Sequence, residues 1–143
     1  MRTTKSNLYY AVLDLAWNPH DETQVVSAAT NNAIVLWDIE SRSRNPFVTF
    51  KGHTRTANRV CWHPTDGNRM LSGSTDGTVK VWDTREEHCV TSIQRSSGVC
   101  KDVQFSPHQG DAIVALTLTR TLTLTLTLTL TVTPPRRLHR GRV

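Results

Sequence analysis

A single pattern returns along this chain with a period of 45 residues, and that period restricts the fold more than any other property of the sequence. Trp37-Asp38 is followed 45 positions later by Trp82-Asp83. Trp17-Asn18-Pro19, Trp62-His63-Pro64 and Phe105-Ser106-Pro107 recur at steps of 45 and 43. The stretch Ser27-Ala28-Ala29-Thr30-Asn31-Asn32 stands at the same place as Ser72-Gly73-Ser74-Thr75-Asp76-Gly77, again 45 apart. Three landmarks with one period define a structural repeat. Such a unit cannot bury its apolar face alone and must stack on its neighbours.

Within each repeat the apolar residues come in short runs. Val12–Trp17, Arg59–Trp62 and Asp102–Phe105 read as inner strands, each stopped by a turn proline. Val25–Ala29 is expected to pair with Ile34–Trp37 across Asn31-Asn32, and Met70–Ser74 with Val79–Trp82 across Asp76-Gly77. Both dipeptides suit the positive-φ residues of a tight hairpin. Phe47–Phe50 and Val90–Ile93 are the expected outer strands. Nothing of comparable length reads as an amphipathic helix, so the fold class is all-β, with units near 9–50, 52–94 and 97–116.

Residues 52–83 open with Gly52-His53 and close with Trp82-Asp83. This pattern resembles the repeat of the WD-repeat β-propeller family. The resemblance implies blades of four-stranded antiparallel sheet and a surface that binds other proteins. It also implies that His53, Ser72, Asp76 and Trp82 form a buried hydrogen-bond chain from Trp through Ser and His to Asp. The same four residues hold the Ser, His and Asp of a hydrolase triad. No nucleophile elbow or oxyanion segment accompanies them, and the structural reading is preferred. Ser27, Asn31 and Trp37 form the equivalent, weaker set, since Asn31 replaces the Asp and no Gly-His precedes Val12.

Propellers close with four to eight blades, whereas this sequence of 143 residues holds about two and a third. The third unit runs into Ala112-Ile113-Val114-Ala115-Leu116 and is expected to stop there, with no turn Asp, third strand or closing Trp-Asp. The chain therefore reads as an incomplete propeller, a fragment of a longer protein. Residues 117–133 are a strict two-residue alternation, Thr with Leu between except at Arg120 and Val132, read as a Thr-Leu low-complexity tract with an aggregation-prone composition. Residues 134–143 form a basic tail expected to be disordered. Neither segment is assigned a function.

The formal net charge of +5 raises the question of nucleic-acid binding. Arg136, Arg137, Arg140 and Arg142 supply four of those charges, leaving 13 basic against 12 acidic groups in residues 1–133. A near-neutral body has no electrostatic footprint for phosphate. Cys61, Cys89 and Cys100 lack CxxC spacing and read as buried reduced thiols. His20, His63 and His108 beside the prolines read as solvated loop residues. No catalytic residue, cofactor or metal site is assigned. No signal peptide, membrane-spanning run or glycosylation sequon is evident, which fits a cytoplasmic protein.

Residues 9–108 also resemble, more narrowly, the WD-repeat subunit of the GATOR (yeast SEA) complex that carries a RING finger far downstream. The similar segments are Ala28-Ala29-Thr30-Asn31, Ser43-Arg44-Asn45, Arg55–Cys61 leading to His63-Pro64-Thr65, Leu71-Ser72-Gly73-Ser74 and Lys101–Ser106. This resemblance implies a non-catalytic scaffold in an amino-acid-sensing assembly at the lysosome or vacuole, which promotes TOR signalling. Its partners would be further propeller subunits, with any membrane association peripheral and made through the complex. The rival reading rests on Trp82-Asp83-Thr84-Arg85, which is similar to the box of propellers that serve as substrate receptors for cullin-type ubiquitin ligases. There Asp83 and Arg85 would lie at a partner contact. An RNA-associated or coat-type scaffold is the third class.

Overall fold

The computed structural model describes residues 10–41, 47–94, 98–108 and 112–118, and the backbone of 124–129. Among them the regular structure is all strand, in three antiparallel sheets whose strand order follows the chain. Sheet one holds β1 (Val12–Trp17), β2 (Gln24–Ala29), β3 (Ile34–Asp38) and β4 (Val48–Phe50). Sheet two holds β5 (Ala57–Trp62), β6 (Arg69–Ser74), β7 (Thr78–Asp83) and β8 (His88–Gln94). Sheet three holds β9 (Val99–Phe105), β10 (Ile113–Leu118) and β11 (Leu124–Thr129).

The hairpin turns use one left-handed residue each, the second of the expected dipeptide: Asn32 at φ 67° and Gly77 at φ 82°. Asn tolerates that region because its side chain bonds locally, and Gly has no Cβ to clash. Register then carries the 45-residue period into space. Leu15 opposes Ser27, and Val60 opposes Ser72 in the matching place.

Because successive strand residues point to opposite faces, each sheet has two faces to cover. Val26, Ala28, Ile34, Leu36, Val48 and Phe50 of sheet one meet Ala57, Val60, Trp62, Met70 and Trp82 of sheet two in one buried cluster. The opposite face of sheet two places Leu71, Val79 and Val81 against Cys100, Val103, Phe105, Ile113 and Ala115 of sheet three. Sheet one's other face has no neighbour among the described residues. Leu15 and Trp17 remain 62% and 58% exposed there, while their repeat equivalents Val60 and Trp62 are 4% and 7% exposed.

The second interface is set by a glycine. A Cβ on Gly73 would lie 2.7 Å from Cys100 Sγ and 2.8 Å from Val103 Cγ1. At the first interface the matching positions are Ala28 and Ala57, both buried. A small residue facing a larger one has thus been exchanged for two of equal size. Gly73→Ala is expected to destabilise by about 1–3 kcal/mol through overpacking. Adding Cys100→Ala should restore much of that loss, because it recreates the Ala-Ala combination of the first interface. Urea unfolding of the double-mutant cycle checks this, and strictly additive effects would refute the coupling.

Three expectations are corrected. The third unit does not stop at Leu116: β10 continues to Leu118, and the Thr-Leu tract supplies a third strand, β11, antiparallel to β10. Alternation is what a strand needs, so a tract of simple composition still fits a sheet edge. Phe47 lies outside β4 and is 63% exposed. His63 is no solvated loop residue: it is 4% exposed, its ring packs edge-on against Phe105 at 4.7 Å, and its Nδ1 accepts from Thr65 N and Asp66 N. His20 and His108 are exposed. The expected basic tail, and Ser43-Arg44-Asn45, lie outside the described residues.

Candidate functional site

Strands β6 and β7, the hairpin between them and the segment ahead of β5 bring four polar side chains into one line. Trp82 Nε1–H donates to Ser72 Oγ at 2.8 Å. Ser72 Oγ lies 2.7 Å from His53 Nε2, and His53 Nδ1 lies 3.0 Å from Asp76 Oδ2. The ionised Asp76 can only accept, so Nδ1 carries the proton. Nε2 then accepts from the Ser72 hydroxyl, whose oxygen accepts from Trp82. Every proton has an acceptor, with His53 Nδ1 lying also 3.2 Å from Thr78 Oγ1, which is what a buried polar line requires. Gly52 makes room for it, since a Cβ there would lie 3.1 Å from Trp82 Cη2.

Electrostatics follow from the burial. Burial pushes the Asp76 carboxyl up, but the Thr78 hydroxyl, Thr54 N, Thr78 N and His53 all donate to it and together hold its pKa at about 2. The His53 imidazole is lowered, chiefly by burial, against the opposing pull of Asp76. It is therefore neutral at pH 7, matching the proton assignment above.

The connectivity Ser-His-Asp is present, but the serine is sealed. Ser72 is 0% exposed, and its oxygen is enclosed by Trp82 and His53. A carbonyl substrate cannot approach it. What the arrangement does is tie the segment before β5 to the β6–β7 hairpin. Sheet one has a shorter version: Trp37 Nε1 donates to Ser27 Oγ at 2.9 Å, and Asn31 Oδ1 accepts from Ala33 N at 3.3 Å. Its His position falls on Leu8, outside the described residues. In sheet three Ala115, opposite Val103, occupies the Ser72 place, so no serine is available for such a line.

Asp83 and Arg85 sit beyond the end of the line, at the β7–β8 turn. Arg85 Nε and Nη2 grip Asp83 Oδ1 and Oδ2 at 2.9 and 2.6 Å, and Arg85 N also donates to Oδ1 at 2.9 Å. This fork lowers the Asp83 carboxyl and raises the Arg85 guanidinium. The Arg85 side chain is 62% exposed, so the pair shapes the turn at a solvated rim.

One constellation was missed. Asp14, Arg59 and Asp102 occupy the same repeat position on β1, β5 and β9, where they make an alternating charge row. Arg59 Nη1 lies 3.3 Å from Asp14 Oδ1, and Arg59 Nε lies 3.4 Å from Asp102 Oδ1. Asp14 Oδ2 also accepts from Val60 N at 2.9 Å. The same seams hold Trp62 Nε1 donating to Ala16 O, Asn58 Nδ2 donating to Cys100 O, and Asn18 Nδ2 donating to Gly67 O. The common 45- and 43-residue steps were the available signal.

The cysteines offer no nucleophile. Burial pushes the Cys61 thiol up to about 12 and Cys100 to about 11, and raises Cys89 as well. Cys100 is buried, while Cys61 and Cys89 are partly so. No cluster of His, Cys, Asp or Glu among the described residues is placed to hold a metal ion. No helix among those residues is long and apolar enough to cross a membrane.

Radially stacked antiparallel sheets with inner strands side by side, a Trp-Ser-His-Asp line in one and its remnant in another, define a repeat-built β-propeller, incomplete in this chain. The chain belongs to the WD-repeat family: the profile of the WD domain, G-beta repeat, matches residues 2–38 and 44–83. It is similar to GATOR2 complex protein Wdr24 of Drosophila melanogaster, 34% identical over 109 residues, covering 76% of this chain and 14% of that protein. It is likewise similar to GATOR2 complex protein WDR24 of Xenopus laevis, at 39% over 103 residues. The Homo sapiens protein of that name is 40% identical over 103 residues, and each of these two alignments covers 71% of this chain and 13% of the relative. The matched part therefore spans about one-seventh of those relatives' length.

Proposed function

We propose that this chain is part of a non-catalytic protein-interaction scaffold in a GATOR2-type (GATOR/SEA) complex, which promotes TOR signalling in response to amino acids. The observation that carries the reading is the similarity to GATOR2 complex proteins across more than two-thirds of the chain. The sealed Ser72 supports a role in binding rather than hydrolysis. In this reading the partners are further propeller subunits. The setting is cytoplasmic, with peripheral attachment to the lysosomal or vacuolar membrane made through the complex. His53, Ser72, Asp76 and Trp82, with Ser27, Asn31 and Trp37, serve to hold blades in shape.

The cullin-receptor reading requires Arg85 to offer its fork to an adaptor. Here Nε and Nη2 already hold Asp83, so binding would have to break or share a bidentate pair. The two readings separate in one experiment. The protein carrying this chain, isolated from its own cells, is expected to co-purify with other propeller subunits, and Arg85→Ala should leave that set unchanged. A cullin adaptor that co-purifies with the wild type and is lost on Arg85→Ala would overturn the assignment.

A further inference from the structure

Sheets one and two end outward in a fourth strand, β4 and β8, paired with the third. In sheet three the outermost strand is β11, and its second edge has no strand beside it among the described residues. β11 comes from the Thr-Leu tract, which already pairs with itself inside the chain. Thr117 opposes Thr125, Leu118 opposes Leu124, and Leu116 opposes Leu126. Two such alternations keep like residues opposite at every second register, so a ladder forms without one specified alignment. Residues 121–133 contain no charge, proline or glycine, the features that ordinarily block edge-to-edge pairing.

We propose that the outer edge of β11 is a homotypic docking strand. It pairs antiparallel with the β11 edge of a second copy of this chain across a two-fold axis, joining two third sheets into one. Among the described residues the topology leaves that edge uncovered. β9 is the inner strand, packed on β5 and β6, and β11 is the far side of its sheet. The two bodies therefore extend away from each other. Among the described residues each copy offers one such edge, so the assembly closes at two.

The test uses the full 143-residue chain and light scattering over a concentration series. A dimer is expected. Thr125→Lys combined with Thr127→Lys should weaken it at least about tenfold, since lysines then face lysines across the axis. Leu15→Lys with Trp17→Lys, on the open face of sheet one, should leave it unchanged. A second readout holds if the first variant misfolds. On mild oxidation, a mixture of Thr125→Cys and Thr127→Cys chains should cross-link, whereas Leu126→Cys with Thr127→Cys should not. A monomer at all concentrations, fibres in place of dimers, an oligomer lost only through Leu15 and Trp17, or equal cross-linking in both mixtures would each overturn the proposal.

Discussion

Trp82→Ala is expected to cost about 3–5 kcal/mol of stability, while Trp82→Phe should cost only about 1–2. The indole is fully buried between two sheets, with Phe50 at 5.6 Å and His53 edge-on at 5.9 Å. Removing it opens a cavity in the principal core cluster and leaves Ser72 without its donor. Phenylalanine keeps most of the volume and deletes only the N–H, which isolates the polar contribution. Equilibrium unfolding in urea measures both losses. Equal losses would mean that the hydrogen bond, and not the packing, dominates at this position.

Asp76→Asn should remove one part of the protein's sensitivity to acid, the step below pH 3.8 that Asp76 contributes. The folded-state pKa of Asp76 is about 2 against an ordinary 3.8. A depressed carboxyl pKa contributes stability that is fully present above 3.8 and is lost as pH falls toward 2. That contribution is about 2 kcal/mol. His53 acts in the same direction at higher pH. Its pKa is lowered from 6.5, so below that value the unfolded chain takes up a proton that the folded chain resists. Wild-type stability should therefore fall first below pH 6.5 and again below 3.8. The variant should start less stable at pH 7 and lose less in the second step, where the lowered Asp83 and Asp21 carboxyls still act. An unchanged acid slope in Asp76→Asn would show that other carboxylates govern it.

Much of this architecture was legible because repeats and alternation are local, additive signals. The matched spacing of Trp37 and Trp82 placed β3 and β7, and the prolines after Trp17, Trp62 and Phe105 marked where inner strands end. The residues of the polar line could be named because Gly52-His53 and Trp82-Asp83 resemble the WD-repeat pattern, and that family joins these repeat positions in one hydrogen-bond chain. His63 was misread because the residue before a proline looks like a loop, and only the neighbouring sheet supplies the Phe105 that covers it. The Asp14–Arg59–Asp102 row was overlooked for a similar reason. Charges on successive inner strands gain meaning only when those strands lie side by side.

The Trp-Ser-His-Asp line was implied by the resemblance to the WD-repeat family, whereas the sequence by itself determined the all-β class, the 45-residue unit and the hairpins across Asn31-Asn32 and Asp76-Gly77. These depend on backbone preference and two-residue periodicity, which short segments carry on their own. Tertiary structure decided which of two equivalent positions is core. Trp17 and Trp62 share a repeat position, yet one is 58% and the other 7% exposed, because burial requires a neighbouring sheet and none lies on that side of β1 among the described residues. It also decided that Gly73 faces Cys100 where Ala28 and Ala57 serve at the first interface, and that a Thr-Leu tract becomes β11. An alternating strand is complete only when another strand supplies its hydrogen bonds, and in this chain β10 does so.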